Sequence, residues 1–589
     1  MKIQKPKSRF LSVFISSIPA ENKMSQKSFL TLLFLSISTI VFSQLSNVEE
    51  QRIDSIFSEW SKNNGPGVAA GLMFGNDIIY KKGFGLAQIE SEQRITTQTK
   101  FQIDHLSRQF TVLAILILEQ QGKLSFTDPV QKYIPELPEY EHLLTISHLI
   151  NHSSGLNDYG MTKVILRKHE DDVFTHGDAL DLIKTQKELN FIPGTAFSYI
   201  VSLTELSLLA EVVAKASEQT LSAFTKEHIF GPLQMQNTHF VEDYNTIISD
   251  FAKSYQVEDE KTKLKVINQS NAGPTNLYTS VDDLFIWYKI FNSPSNSTFT
   301  ELIKQLDQPV KLENGNTCNS SWGIMTLGRG FFHKERGLPA YWQYGLSGGY
   351  ATNVFRFPEQ QLISFVLGNN NRYNGMPAMS MAYHFLENKF PEPREIDINT
   401  IKSRKISRSQ LKNYEGHYWN SDRGIARKIF TRNDTLYYAR LEQNQGARMI
   451  PLKTKEKFQL QVESDDKIYF SFKEIEGQTA YDIILGESDP YPYIKYEPIV
   501  YSEENLKLYT GYFYAKDLRI VYHFDIEDGK LQTKRPDGTV IRFDPVTKDV
   551  FRGNRGSFGG IRYHRDSDNV IIGFSIHTVG IQNLQFRKI

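Results

Sequence analysis

Hydrophobic and polar positions in the first two thirds of the chain follow strand and helix periods in turn. Between Gly65 and Gly85, two apolar runs flank a Gly-Asn-Asp turn at residues 75–77, which predicts a hairpin of two strands. The stretch from Phe101 to Leu124 carries an apolar run typical of a buried helix, with Gly122 as its C-cap. A further helix is predicted over 204–217, where apolar residues recur on one helical face.

The region from Gln343 to Asn371 predicts strands instead. The segments TNVFRF and LISFVLG are separated by a Pro-Glu turn at 358–359, and a helix is expected from about Pro377 to Leu386. Short helices and turn-rich loops fill residues 129–300 between these regions. A helix of mixed polarity is expected over 47–63.

The pattern changes after residue 390. Prolines and a basic run at 391–408 mark a composition break, which we interpret as a solvated linker. Beyond it, LKNYEGHYW (Leu411–Trp419) matches LKLYTGYFY (Leu506–Tyr514), and each copy is followed by short alternating strands with turn signals. This internal repeat predicts two all-β modules, at about 409–498 and 503–589, each an antiparallel sheet or small barrel.

Length and composition agree with a chain of several domains, but they do not indicate a particular function. A chain of 589 residues is too long for one core and predicts roughly two to four domains. Lys+Arg and Asp+Glu both number 67, so net charge gives no reason to expect a nucleic-acid partner. The single cysteine, Cys318, excludes an internal disulfide, and no HExxH motif is present. We therefore expect no metal and no cofactor.

The N-terminal residues carry the pattern of an export signal. Within the segment Met24–Ser43, Lys27 supplies a positive charge and Phe29–Phe42 an apolar run too short to span a bilayer comfortably. We expect cleavage after this segment and a periplasmic or secreted protein, with a retained membrane anchor as the alternative. No cysteine ends the segment, so a lipoprotein is not expected. Residues 1–23 resemble an upstream extension, which leaves Met1 or Met24 as the start.

One catalytic motif in the sequence is misleading. Residues 345–349, GLSGG, satisfy the GxSxG pattern of a nucleophile elbow. That elbow needs a helix directly after the serine, whereas YATNVFRF follows here and alternates like a strand. We therefore interpret these glycines as a turn or bulge between strands.

A set of other segments closely resembles the serine β-lactamase-like family, which includes class C β-lactamases, D-alanyl-D-alanine carboxypeptidases and related esterases. The segments lie in family order over about residues 45–390. They are PGVAAGLMFGNDIIYKKGFGLA, FQIDHLSRQFTVLAILILEQQGKL, GKLSFTDPVQKYIPELP, LTISHLINHSSGLNDY, IPGTAFSY, IFGPLQMQNTHF, GPTNLYTSVDDLFIWY and YGLSGGYATNVFRFPEQQL. The resemblance implies an α+β domain, an antiparallel sheet flanked by helices. The C-terminal repeats resemble the small lipocalin-like modules found behind such domains.

The family's reaction needs a Ser-x-x-Lys at the start of the buried helix, a Tyr-x-Asn, and a Lys- or His-x-Gly on a strand. Phe101, Gln109 and the residues after it align with the first motif, which places His105 at the serine position and Arg108 at the lysine position.

The other two motifs are also altered. The second falls on Tyr199 and Val201, so the tyrosine remains and the asparagine is lost. The third falls on Gln343 and Gly345, so the glycine remains and the basic residue is lost.

These changes remove the groups that acyl transfer uses. Arg108 stays protonated and cannot accept a proton from a nucleophile. His105 has no hydroxyl, Val201 cannot donate to a substrate amide, and Gln343 carries no charge for a carboxylate. Ser107 points to a different helix face from His105 and has no lysine three residues later.

Two functions are compatible with this combination of an intact scaffold and altered motifs. The first is a catalytically inactive, exported pseudoenzyme that binds a cell-wall peptide, a small acylated ligand or a protein partner, through Arg108, Tyr199, Gln343 and Ser347. The second is a hydrolase with weak activity through an unorthodox site such as Tyr199 with His105. Arg108 could bind a carboxylate, or it could pair with an acid such as Asp104 and fill the cleft.

Overall fold

The computed structural model describes most of the chain after residue 45. The described residues are 46–589, except for 63, 167–168, 170, 199–202, 259–260, 293–298, 314, 316, 322–323, 328–337, 374–375, 391–402, 442, 444, 455, 462–467 and 486–490.

An eight-stranded antiparallel sheet forms the centre of the first domain, in the order β12-β13-β14-β15-β16-β17-β1-β2. The predicted hairpin is β1 and β2, and the two predicted strands of the later region are in β16 and β17. The first and last segments of the domain therefore meet in the middle of one sheet, where Val68 pairs with Gly368. The sheet strands are β1 Val68–Phe74, β2 Asp77–Phe84, β12 Pro309–Lys311, β13 Thr317–Ser321, β14 Ile324–Leu327, β15 Ala340–Ser347, β16 Tyr350–Phe357 and β17 Leu362–Gly368.

Short strands connect the sheet to the helices around it. They are β3 Leu86–Gln88, β4 Gln93–Arg94, β5 Phe101–Gln102, β6 Phe174–Thr175, β7 His239–Phe240, β8 Tyr255–Glu258, β9 Lys261–Leu264, β10 Gln269–Ser270 and β11 Leu277–Thr279.

Helices cover the sheet and form a large apolar core with it. The predicted buried helix is α3, and every residue from Arg108 to Leu118 in it is buried. The expected helix over 47–63 is two helices that break at Phe57, whose ring stacks on Phe84 of β2. The α-helices are α1 Asn47–Ile56, α2 Ser58–Lys62, α3 Arg108–Gln120, α4 Ile146–Ile150, α5 Tyr159–Leu166, α6 His176–Lys184, α7 Leu203–Ser217, α8 Leu221–Thr225, α9 Gly231–Leu233, α10 Val281–Asn292, α11 Thr300–Leu306, α12 Met376–Phe385, α13 Arg408–Leu411 and α14 Glu503–Leu506.

The GLSGG segment is a hairpin turn, as its sequence predicts. Ser347 pairs with Tyr350 across β15 and β16, so Gly348 and Gly349 form the two-residue connection. Gly348 has a φ of +59°, which favours glycine. A side chain at Gly349 would lie 2.2 Å from the carbonyl oxygen of Tyr255, so this glycine also permits a close approach.

The two C-terminal modules are closed eight-stranded barrels, which decides between the open sheet and the barrel that the repeat allowed. Closure comes from pairing of the first strand with the last, and the barrel cores are rich in aromatic residues. Barrel 1 consists of β18 Gly416–Asn420, β19 Ile425–Arg432, β20 Thr435–Arg440, β21 Ala447–Pro451, β22 Lys457–Leu460, β23 Ile468–Ile475, β24 Gln478–Leu485 and β25 Tyr491–Tyr496. Barrel 2 consists of β26 Gly511–Ala515, β27 Ile520–Glu527, β28 Lys530–Lys534, β29 Val540–Thr547, β30 Val550–Gly553, β31 Gly560–Arg565, β32 Ile571–Thr578 and β33 Ile581–Lys588.

The barrels contact each other through backbone. A side-chain carbon at Gly424 of barrel 1 would lie 2.5 Å from both the Gly560 nitrogen and the His577 carbonyl oxygen of barrel 2. Such an approach is possible only because position 424 has no side chain.

Barrel 2 also packs on the first domain through the end of α5. Ile165 is fully buried and belongs to the apolar core of barrel 2. The Tyr522 hydroxyl donates to the Ile165 carbonyl oxygen at 2.7 Å. Nearby, the backbone N–H of Asp158 donates to the Gly580 carbonyl oxygen at 2.7 Å.

The described part of the expected linker is not free in solvent. Ser403 forms a bridge with Leu452, and the Arg404 backbone N–H donates to the Pro451 carbonyl oxygen at 3.2 Å. This segment therefore adds to barrel 1, and residues 391–402 lie outside the described residues.

Candidate functional site

The altered first motif lies in a single turn of 3₁₀-helix, Asp104–Ser107, directly before α3. Asp104 is 3% exposed and has a φ of +45°, a left-handed conformation that is uncommon for a residue with a side chain. His105 is therefore placed in this 104–107 turn, and Arg108 is the first residue of α3.

Gly345 lets β15 approach this turn. A side-chain carbon at this position would lie 2.2 Å from the Ile103 carbonyl oxygen and 3.1 Å from Cβ of Asp104. The glycine of the third motif is thus required by packing alone, whatever chemistry the site performs. We call the space between the 104–107 turn and residues 344–347 of β15 the cleft.

The carboxylate of Asp104 accepts a hydrogen bond from a backbone N–H group at the edge of β15. The Leu346 N–H donates to Oδ2 of Asp104 at 2.9 Å. A backbone N–H beside the nucleophile position is the kind of group that stabilises the oxyanion of acyl transfer. Here the donor is already used, and a carboxylate stands where an oxyanion would have to form.

Neither nitrogen of His105 is available to a ligand. Nε2 lies 3.5 Å from Oδ2 of Asp104, and Nδ1 is buried without a hydrogen-bond partner. The ring packs edge-on against Tyr344, with 6.3 Å between ring centroids. His105 therefore fills space at the nucleophile position, although a quarter of its side chain, 26%, is exposed.

Arg108 is a buried cation at the start of α3. It is 5% exposed, and its guanidinium forms no hydrogen bond or ion pair with any described residue. Burial lowers the pKa of Arg108 to about 10, a fall that the attraction of Tyr344 and Asp104 only partly opposes. The guanidinium is still protonated at neutral pH, and Asp104 interacts with it at a distance instead of forming the internal ion pair.

Gln343 faces the core and not the cleft. It is 5% exposed, and its Oε1 accepts a hydrogen bond from the Tyr288 hydroxyl of α10 at 2.9 Å. Its Nε2 is buried without a partner. The amide therefore anchors β15 to α10. A lysine at this buried position would lose the hydration of its charge.

The remaining predicted positions are placed less directly. Tyr199 and Val201 lie outside the described residues. Ser347 lies at the turn end of β15, while Tyr344 and Leu346 of the same strand are 38% and 59% exposed. These two exposed apolar side chains line the edge that a ligand would meet.

The serines near the cleft have structural roles. Ser107 is fully buried, and its hydroxyl donates to the Gly273 carbonyl oxygen at 3.2 Å. Ser154 donates from both its backbone N–H and its hydroxyl to Oε1 of Glu205, a residue that is 1% exposed. Oε2 of the same carboxylate lies 2.6 Å from Nδ1 of His152. These contacts fix the NHSSGL loop to α7.

Asp158 is a second buried acid close to the cleft that sequence reasoning missed. Its carboxylate accepts from the backbone N–H groups of Leu203 at 2.7 Å and Met161 at 3.0 Å. Burial raises the pKa of Asp158, and these bonds and the charge of His105 oppose the rise. No sequence signal distinguishes this acid from a surface residue, because both donors are backbone groups.

Two other features are absent from the described ranges, a metal cluster and a membrane-spanning helix. Within the described ranges, no group of three or more His, Cys, Asp or Glu side chains could hold a metal ion. No helix among them is long and apolar enough to cross a bilayer.

Comparison with known proteins agrees with this architecture. The β-lactamase family model matches residues 46–384. Penicillin-binding protein 4* of Bacillus subtilis strain 168 is 26% identical over 391 residues, covering 62% of this chain and 81% of that protein. A D-aminopeptidase of Brucella canis is 23% identical over 262 residues, covering 44% of this chain and only 49% of that enzyme.

Among solved structures, a crystal structure of SurE matches 76% of this chain and 99% of its own, with a TM-score of 0.50 and 17% identity. That likeness concerns the fold alone. Because the family model spans more than half of the sequence and the sheet, helices and cleft have the arrangement that the resemblance implies, the chain belongs to the β-lactamase family.

Proposed function

We propose that the cleft binds the carboxylate of a small peptide or acylated ligand and does not form an acyl-enzyme. The observation that carries the proposal is the buried Arg108 guanidinium at the lysine position, which has no partner among the residues that the structure describes. A guanidinium in a nearly closed site is strongly stabilised by a bidentate carboxylate and poorly stabilised without one.

The absence of acyl transfer in this proposal is supported by three contacts. Leu346 N–H is bonded to Asp104, Nδ1 of His105 is buried, and Gln343 is held by Tyr288. An acyl donor would therefore meet no hydroxyl at position 105, and the Leu346 N–H would not be free to stabilise its oxyanion.

The ligand class is taken from the relatives. One relative is named a penicillin-binding protein and another a D-aminopeptidase, which directs the proposal toward peptide-like ligands. A short peptide with a free C-terminus, such as a cell-wall stem peptide, satisfies both Arg108 and the exposed apolar edge at Tyr344 and Leu346.

The binding test uses acetyl-D-alanyl-D-alanine and its C-terminal amide, titrated calorimetrically into the full chain. The acid should bind about tenfold more tightly than the amide, because only the acid pairs with Arg108. Arg108→Gln should make the two equal, while Arg94→Gln, an exposed arginine of the same domain, should leave the preference intact.

The chemical test is covalent labelling with a fluorescent penicillin. No adduct should survive denaturation. A stable adduct that disappears in His105→Ala or Tyr199→Phe would replace the proposal with the alternative, a weak hydrolase acting through those residues.

We also propose that the protein is exported, with the segment Met24–Ser43 as its signal. N-terminal sequencing of protein recovered from the periplasm or medium should begin directly after Ser43. Recovery only with an intact N-terminus in the cytoplasm or membrane would contradict export.

A further inference from the structure

Barrel 1 carries a cationic side chain on its inner wall. Arg427 lies in β19 between Ile425 and Ile429, both of which pack into the barrel core. Side chains two residues apart in a strand share a face, so the guanidinium enters the barrel. The register agrees, because Arg427 pairs with Tyr418, a fully buried core residue.

The surroundings of Arg427 contain hydroxyls but no compensating carboxylate. Its Nε donates to the Tyr438 hydroxyl at 3.0 Å, and its Nη1 donates to the Ala426 carbonyl oxygen at 2.8 Å. Within the described part of the chain, Arg427 forms no ion pair.

Tyrosines complete the wall around this guanidinium. Tyr481 and Tyr493 stack with 5.1 Å between ring centroids, and both are near enough to interact with Arg427 electrostatically. The Tyr481 hydroxyl is buried and has no hydrogen-bond partner. Burial raises the pKa of Tyr438 to about 12, so this phenol is neutral at ordinary pH and supplies no counter-charge.

The internal repeat shows what this position does in barrel 2. The counterpart of Arg427 is Tyr522, which pairs with Phe513 as Arg427 pairs with Tyr418. Tyr522 donates its hydroxyl hydrogen bond to the carbonyl oxygen of Ile165, whose side chain is buried in the barrel 2 core. At the end of barrel 2 where Tyr522 lies, the side chain of Ile165 is thus buried in the barrel core and its carbonyl oxygen is bound by a hydrogen bond.

We propose that the same end of barrel 1 binds the C-terminal carboxylate of a short apolar peptide. The neutral hydroxyl of Tyr522 suits a carbonyl oxygen, whereas a guanidinium at the same position suits a carboxylate, which carries one full negative charge. One cation without an ion pair among the described residues matches one such charge. The free hydroxyl of Tyr481 and the proton of the Tyr438 hydroxyl can serve as additional donors to the ligand.

The test compares two soluble ligands that differ only in charge at the relevant atom. Acetyl-valyl-isoleucine reproduces residues 164–165 with a free carboxylate, and its C-terminal amide removes that charge. Each is titrated by calorimetry into the full chain carrying Arg108→Gln, so that the proposed cleft site cannot supply a preference for the acid. The acid should bind at one saturable site in barrel 1 about tenfold more tightly than the amide.

Variants locate the site and separate it from the cleft. Arg427→Gln should abolish the preference for the acid and Tyr481→Phe should weaken it, while Arg432→Gln, on the outer face of the same strand, should leave it unchanged. Because all these variants are made in the Arg108→Gln protein, failure of the cleft proposal would not affect this result.

Two results would overturn the inference. The first is equal affinity of the Arg108→Gln protein for acid and amide, including no measurable binding of either at millimolar concentration. The second is a preference for the acid that persists when Arg427→Gln is added to Arg108→Gln.

Discussion

The carboxylate of Asp104 accepts a hydrogen bond from the backbone N–H of Leu346, which follows it by 242 residues, and this contact closes the edge of the cleft. The same carboxylate faces Nε2 of His105 and attracts Arg108 without touching it. One side chain therefore accepts from the backbone donor at the edge of β15, lies against the imidazole and contributes to the electrostatic surroundings of Arg108.

Removing the charge of Asp104 should strengthen ligand binding. In Asp104→Asn, the amide oxygen can still accept from Leu346, but Arg108 loses its nearest attracting anion. Affinity for acetyl-D-alanyl-D-alanine should rise by about five- to tenfold, which corresponds to about 1 kcal/mol of repulsion between two carboxylates. Calorimetry measures the change, and Asp243→Asn on the surface is the control. Weaker binding would mean that Asp104 orients the ligand directly.

Gly345→Ala should destabilise the first domain. The new methyl group would meet the Ile103 carbonyl oxygen at 2.2 Å, a backbone atom that cannot rotate away. A loss of about 1–3 kcal/mol in the free energy of unfolding is expected, as for other overpacked sites. Urea denaturation provides the measurement, with Gly65→Ala as a control because nothing lies within 4 Å of its added carbon. Equal stability of the two variants would contradict the close approach.

The contact between α5 and barrel 2 should contribute strongly to stability. Ile165 is fully buried between them, so Ile165→Ala should cost about 2–4 kcal/mol. Limited proteolysis should then cut the chain between barrel 2 and the rest more quickly. Ile247→Ala is the matched control, since that side chain is 96% exposed. An unchanged digestion rate in Ile165→Ala would show that the barrel is held elsewhere.

Barrel 2 should lose stability in mild acid through His577. Burial lowers the pKa of His577 to about 4, and Arg562 and His564 add to the effect, while Asp422 opposes it. The unfolded chain then binds a proton that the folded chain does not between pH 6.5 and about 4, so stability falls as pH falls through this window. Across the whole window the loss should be about 3 kcal/mol.

His577→Gln should flatten this pH dependence, because no imidazole remains to be protonated on unfolding. Thermal unfolding followed at pH 7 and pH 4.5 gives the comparison, and His142→Gln on the surface of the first domain is the control. If the unfolding temperature falls equally with pH in His577→Gln and in the parent protein, another group causes the acid sensitivity.

Much of the scaffold follows from the sequence, because its signals are local. The hairpin from Val68, the helix that ends at Gln120 and the paired repeats all depend on periodicity within short windows. The alternation after Ser347 also predicts a strand in place of the helix that a nucleophile elbow requires, and the structure has a strand there.

The site was harder to predict because its contacts join distant segments. Sequence alone left Arg108 either paired with Asp104 or free, and the choice depends on the left-handed backbone of Asp104, which turns its carboxylate toward Leu346. The insertion of Ile165 into barrel 2 has no local signal either, because an isoleucine at a helix end is ordinarily a core residue of its own domain.

The backbone contact at Gly424 has a consequence for anyone who would reuse these modules. Trp419 of barrel 1 packs at the same point, because a side-chain carbon at Gly560 would lie 2.9 Å from Cζ2 of its indole. Transplanting a single lobe of this two-lobed repeat would therefore leave a glycine-lined contact without its partner. Engineering should move both lobes together, along with the helix end that enters the second.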